Sequence, residues 1–147
     1  MRILGLDLGA RRIGLAISDT EARIAFPAGH LERTGPRKDL AALGTLIAER
    51  GVGRAVVGLP LHLDGRAGPE AEAARAFASS LAASAGIPVD LLDERWTTVA
   101  AQRSLRGSGA DAARRRGKGA VDSVAATLLL SNYLDRLRNE REREETP

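Results

Sequence analysis

Cysteine is absent from this 147-residue chain, which excludes disulfides, thiol nucleophiles, cysteine-ligated zinc and iron–sulfur clusters. Histidine occurs only twice, at His30 and His62. A histidine-rich metal cage is therefore not expected, and any bound metal would have to be held by carboxylates. No apolar run approaches the roughly 18–20 residues that a membrane-spanning helix needs. The amino terminus lacks the charged, then apolar, then small-residue pattern of a secretory signal. The expectation is a soluble cytoplasmic protein with no membrane partner.

What is present is globular composition, with 44% hydrophobic and 28% charged residues, too apolar for a disordered chain. A chain of this length is expected to form one domain and to bury roughly 68–70% of the surface its unfolded form exposes. The net charge of +3 is modest but unevenly placed. Residues 103–118, RSLRGSGADAARRRGK, hold six basic residues and one acid, so this segment carries +5 and the other 131 residues carry −2. Such a segment suits a phosphate-bearing partner. The final stretch, RLRNEREREETP, balances four Arg against four Glu and reads as a solvated helix end or tail.

Periodicity organises the rest. RILGLDL at 2–8 and RIGLAIS at 12–18 are β-type runs joined by a tight hairpin. ARIAFPA at 22–28 extends the meander, with Pro27 confining it to an edge or a strand end. From Pro36 the apolar spacing becomes helical, through Leu40, Leu43 and Ile47 to a stop at Gly51. RAVVGLP at 54–60 is a strand covered on both faces, and a Gly-rich loop, LHLDGRAGP, follows. An Ala-rich helix over 69–85 stops at Gly86. IPVDLLDE is a further strand, then come a helix capped by Thr97 and Thr98, the basic loop, and a last helix from about 119 to beyond 135. The order β-β-β-α-β-α-β-α-α predicts one mixed-sheet α/β domain, antiparallel first and parallel afterwards.

Three acidic positions stand out. Asp7 lies near the end of the first strand among apolar neighbours, where an unpaired charge is expensive to bury. Gly5 and Gly9, two positions to either side, would clear space around its carboxylate. Asp93 and Glu94 end the strand LLDE, and adjacent strand residues face opposite ways, so one of the two shares a site with Asp7. Asp122 sits among Val121, Val124 and Ala125 near a helix start. Each has a plain reading, as a turn former or a dipole-favoured acid. Together they are what Mg²⁺ or Mn²⁺ needs where His and Cys are lacking, and two such ions can promote in-line phosphodiester displacement.

Four phrases extend that reading: GLDLGARRIGLAISD at 5–19, VVGLPLHLDGRAGPEA at 56–71, DERWTTVAA at 93–101 and KGAVDSVAATLLLSNYL at 118–134. In this order and spacing the chain resembles the YqgF family, also called RuvX, over about residues 1–135. Members are described as pre-16S ribosomal RNA nucleases or as Holliday-junction-resolvase-like proteins. The resemblance implies a ribonuclease H-like domain over 1–135 with a mixed five-stranded sheet, a charged tail over 136–147, and a metal-dependent nuclease. It maps the family's acids onto Asp7, Glu94 and Asp122 as catalytic residues and ligands of one or two Mg²⁺ or Mn²⁺ ions. Related junction resolvases carry a further acid three positions after the first on the last helix, where this chain has Ala125.

Basic residues around these motifs are candidate nucleic-acid contacts: Arg11 and Arg12 in the hairpin loop, Arg95 beside Glu94, Arg106, Arg114, Arg115 and Arg116 in the basic loop, and Lys118 four residues before Asp122. Gly58 and Pro60 shape a strand end. His62 and Asp64 lie in a turn-rich loop that has some prospect of meeting substrate. Trp96, the single Trp, suits packing better than base stacking. His30 reads as a surface residue. The leading expectation is a nuclease on structured RNA in 5′-end maturation of pre-16S rRNA, monomeric or homodimeric. The alternatives are a branched-DNA resolvase, which needs a dimer, and a non-catalytic RNA-binding assembly factor. An ATP-binding module would need a second lobe for which the chain has no room.

Overall fold

In the computed structural model, which describes residues 1–96 and 118–145 (the side chains of Trp96 and of residues 118–122 excepted), the first apolar runs form β1 (Arg2–Leu8), β2 (Arg12–Ser18) and β3 (Ala25–Glu32). The β1–β2 turn is closed by the Gly9 N–H donating to the Arg12 carbonyl at 2.8 Å. Any Cβ at Gly9 would lie 2.7 Å from that oxygen, so the turn admits only glycine. There follow α1 (Pro36–Arg50), β4 (Val52–Leu59), α2 (Pro69–Ala85), β5 (Val89–Asp93), a 3-10 turn over Glu94–Trp96, and α3 (Lys118–Glu145). Helices α1 and α2 stop where the sequence predicts, at Gly51 and Gly86 in the left-handed conformation.

The five strands lie in the order β3-β2-β1-β4-β5. The β3-β2-β1 half is antiparallel, and β1, β4 and β5 run parallel. This is the expected mixed α/β sheet. Side chains alternate across it. Leu4, Leu6, Val57 and Leu59 face one side, where Leu43 and Ile47 of α1 and Leu81 of α2 cover them. Ile3, Ala16, Val56 and Leu92 face the other side, under Ala126, Leu129 and Leu130 of α3. Both faces of the central strands are thus dry, and each fully buried Leu or Val contributes about 1.5–3 kcal/mol.

The direction of α3 matters most for the site. Near its start, the Ser123 hydroxyl donates to the Leu15 carbonyl at 3.1 Å, and Leu15 pairs with Leu6 towards the carboxyl end of β1. Ten residues on, Tyr133 meets Arg54 and Asp90, which lie early in β4 and β5. Helix α3 therefore runs against the three parallel strands, with its first turns over their carboxyl ends.

Two expectations need correction. The third strand occupies 25–32 rather than 22–28. The Asp19 carboxylate accepts the N–H groups of Arg23 and Ile24 at 2.6 and 2.9 Å, and Ala22 takes a positive φ of 56°, so the chain is still turning at residue 24. Pro27 does not end the strand, because β3 is an edge where a missing donor is tolerated. Gly5 does not make room for the Asp7 carboxylate. A Cβ there would lie 2.9 Å from Leu130 Cβ and 3.2 Å from the Ala126 carbonyl, so its small size admits α3 against β1. Gly9 likewise serves the turn.

Candidate active site at the carboxyl ends of the parallel strands

On the sheet face beneath α3, every second residue of the parallel strands lines up in rows. β1 presents Ile3, Gly5 and Asp7, β4 presents Arg54, Val56 and Gly58, and β5 presents Asp90 and Leu92, followed by Glu94 just past its end. Val57 pairs with Leu6, so Asp7 is level with Gly58, whereas Gly58 pairs with Leu92 and Glu94 lies one step further out, past Asp93 opposite Leu59. Asp7 is 4% exposed and Glu94 5% exposed, and both line one cavity of about 370 Å³. Gly58 lies between them and lines it too. A Cβ at Gly58 would fall onto Glu94 Oε1 and lie 2.8 Å from Glu94 Cδ. Gly58 is therefore the cradle of the Glu94 side chain, and Pro60 lines the same cavity.

The β5 terminus sorts its two acids as strand alternation requires. Glu94 goes to the cavity with Asp7. Asp93 instead accepts the Arg95 guanidinium, at 2.7 Å from Nη2 and 3.0 Å from Nε. That hydrogen bond holds Asp93 below the usual carboxylate range, against the opposing effect of burial. Arg95 also donates to the Leu63 carbonyl at 3.4 Å, tying the 61–68 loop to the end of β5. Within that loop Asp64 accepts the Arg66 N–H at 2.9 Å, a turn-forming role, and the His62 N–H donates to the Arg66 carbonyl at 3.0 Å.

Two carboxylates sharing one cavity repel unless a cation lies between them. Their oxygens are hard donors of the kind Mg²⁺ and Mn²⁺ prefer, and the glycine cradle leaves the Glu94 carboxylate room to sit beside Asp7. The donor set fits a divalent cation. Among the described residues no three His, Cys, Asp or Glu side chains form a metal-binding cluster. Asp122, the third expected acid, belongs to α3 one residue before Ser123, in the part of the helix over the carboxyl ends. Its side chain lies outside the described residues.

The expected nucleic-acid contacts are placed unevenly. Arg11 is exposed at the hairpin turn. Arg12 Nε donates to Glu32 across β2 and β3 at 2.6 Å and holds Glu32 below the usual carboxylate range. His30, also at the surface, lies 3.4 Å from Glu32. Arg106, Arg114, Arg115, Arg116, the Thr97–Thr98 cap and the side chains of Trp96 and Lys118 lie outside the described residues. Two charged cavity residues, Arg33 and Glu70, do not stand out in the sequence. Arg33 lines the cavity with Asp7 and Glu94. The available signal was the register of β3: with Glu32 opposite Arg12, Arg33 must fall beside the hairpin turn, and a strand ended at residue 28 loses that register.

Comparison with known proteins follows the same lines. A family model described as RuvX, Holliday junction resolvase, matches residues 1–136. The chain is 50% identical over 137 residues to a protein of Chloroflexus aggregans, covering 93% of this chain and 95% of that one. It is also 50% identical over 137 residues to a protein of Moorella thermoacetica, covering 93% and 96%. Both carry the name "Putative pre-16S rRNA nuclease". Among solved structures, Thermus thermophilus RuvC in complex with a Holliday junction substrate is similar with a TM-score of 0.57 at 15% identity, covering 93% of this chain and 96% of that one. The fowlpox virus Holliday junction resolvase is similar with a TM-score of 0.52 at 14% identity, covering 93% and 99%. At such identities the likeness is one of fold, the ribonuclease H-like fold of these resolvases.

Proposed function

The chain belongs to the RuvX family, and from that premise we propose that it is a metal-dependent nuclease that hydrolyses phosphodiester bonds in structured RNA, in the 5′-end maturation of pre-16S rRNA. The observation that carries this reading is a shared cavity: two buried carboxylates, one near the end of β1 and one just past the end of β5, meet there beside a glycine that leaves Glu94 space.

Asp7 and Glu94, with Asp122 from α3, would hold one or two Mg²⁺ or Mn²⁺ ions. When bound, such ions polarise a phosphate and make water a stronger nucleophile. The chain's own residues do the rest. Asp7 sits within β1 and Glu94 opens the short 3-10 turn directly after β5, so both are positioned by regular structure rather than by a long loop. The apolar part of the cavity lining, Leu8, Pro60, Ala73 and Ala74, lowers the local dielectric and strengthens every charge interaction at the site. Arg11 and the basic 103–118 segment attract and hold the phosphate backbone. The nuclease domain is residues 1–135.

Asp7→Asn tests the assignment. It removes one charge with little change of shape, so fold and nucleic-acid binding should persist. Metal-dependent cleavage should fall by on the order of 10³-fold, the scale lost when one transition-state stabiliser is removed. Cleavage undiminished in a clean preparation sinks the reading. A second reading, resolution of branched DNA, is favoured by the description of the matching family. It requires two active sites in a stable dimer, so a monomer in sedimentation at working concentration, cutting RNA but not a four-way DNA junction, decides against it.

A further inference from the structure

The cavity that holds Asp7 and Glu94 has a single basic residue among its described lining, Arg33, and three acids, with Glu70 of α2 as the third. Arg33 follows β3 and is anchored from several sides. Its backbone N–H donates to the Arg11 carbonyl at 2.8 Å. Its Nη1 donates to the Gly9 carbonyl at 2.9 Å, two residues past Asp7. Its Nε lies 3.7 Å from Asp39 Oδ2, and its guanidinium carbon lies 5.9 Å from the centre of the Phe77 ring. Asp39 is itself 2% exposed, and its other oxygen accepts the Thr34 N–H at 2.9 Å. A buried acid, an aromatic face and the turn after β1 thus fix the guanidinium, while the side chain remains 31% exposed.

We propose that Arg33 is a substrate-binding residue that grips a backbone phosphate of the nucleic-acid strand at the bond to be cut or at its immediate neighbour. This inference rests on the nuclease reading above. Anchoring the turn alone uses one N–H, from Nη1. The Nη2 group makes no hydrogen bond among the described residues, and a guanidinium offers its donors as a planar fork that matches two phosphate oxygens. An anionic strand entering a cavity with three acids needs a fixed positive charge there besides any metal. Arg33 supplies it from a pre-positioned rotamer, so little side-chain freedom is lost on binding.

The test is the salt dependence of binding, because each phosphate neutralised by a cation releases counterions, whereas a merely structural role leaves that stoichiometry unchanged. A labelled RNA covering the 5′ end of pre-16S rRNA would be titrated with the full-length protein in EDTA, to prevent cleavage, over a series of KCl concentrations. Arg33→Ala should weaken binding about tenfold, as expected for loss of one charged hydrogen-bonding contact. It should also flatten the plot of log K against log[KCl] by about 0.7 for a single-stranded contact or 0.9 for a duplex one. Arg33→Lys, which keeps the charge, should keep the wild-type slope while cleaving more slowly in Mg²⁺. A wild-type slope in Arg33→Ala overturns the assignment, and so does Arg33→Lys losing the slope as Arg33→Ala does. Thermal unfolding of both variants checks that they fold. Wild-type protein that shows neither salt-dependent binding nor cleavage would remove the nuclease reading itself. Wild-type binding with an unchanged Arg33→Ala slope removes only the role of Arg33.

Discussion

The two ends of the parallel strands carry polar residues on the same face of the same sheet, beneath the same helix, and treat them in opposite ways. At the amino ends, Arg54 and Asp90 come from neighbouring strands and Tyr133 from α3. The Tyr133 hydroxyl donates to Asp90, and Arg54 Nη1 lies 3.3 Å from that hydroxyl and 3.4 Å from Asp90. Charges of opposite sign meet, with a hydroxyl bridging them. At the carboxyl ends, Asp7 and Glu94 bring two charges of the same sign into one cavity. The first arrangement is complete within the protein and stabilises the seat of α3. The second gathers oxygen donors of one sign at a cavity open to a ligand, the kind of arrangement that favours a bound cation.

The largest expected effect breaks the carboxyl end. Gly58→Ala places a methyl group on the Glu94 carboxylate, so Glu94 must move by the order of an ångström. Cleavage should drop by about 10²-fold, the usual consequence of such a misplacement, while denaturation still shows a folded protein. Near-normal activity in that variant would mean that Glu94 does not act from its present position. A smaller effect is expected at the amino end. Tyr133→Phe deletes the bridging hydroxyl and should lower unfolding stability by about 0.5–1.5 kcal/mol, read from denaturation midpoints, with the cleavage rate unchanged. If cleavage fell in step with stability, the two ends would not be independent.

The smallest effect concerns Asp93, which shares the end of β5 with Glu94 but is turned to Arg95. Its carboxyl is held below its usual value by Arg95, so the folded state binds that proton less readily than the unfolded chain does. The stabilisation is therefore complete above the unfolded value of about 3.9 and is lost as pH falls through the lower folded value. The pair is partly exposed and screened by solvent, so the change is slight. Asp93→Asn should remove this part of the acid-side loss of stability in pH-dependent unfolding. An unaltered acid limb would show that the Asp93–Arg95 pair contributes nothing.

Much of this was legible from local pattern. The strand runs, the helix over 36–50 ended by Gly51 and the Ala-rich helix ended by Gly86 each announce themselves through period and punctuation. Asp7 and the Asp93–Glu94 pair stand out because charge is anomalous at the end of an apolar strand. The errors share one cause. The sequence pattern starts the third strand early because the Asp19 side chain, which keeps the chain turning through Ile24, gives no periodic signal. The place of Arg33 is hidden for the same reason, since its position at the cavity depends on the β2–β3 register. The role of Gly5 is hidden too, because sequence shows which residues flank it along the strand and not which helix lies above it.

The sequence by itself determined that this chain alternates strand and helix, that any metal it binds falls to carboxylates, and that acids close its first and fifth strands. Those are properties of residue type and spacing, and they follow from hydrophobic period and ligand chemistry alone. Strand alternation left Asp93 and Glu94 open and the family resemblance named Glu94, but only the tertiary structure gave the physical reason, with Glu94 lodged against Gly58 in the cavity of Asp7 and Asp93 turned to Arg95. Only it put Arg33 into the same cavity, since that meeting needs the register of two antiparallel strands together with a buried Asp39 and a Phe77 contributed by two different helices. Contacts between residues distant along the chain are fixed by packing, which no local pattern encodes.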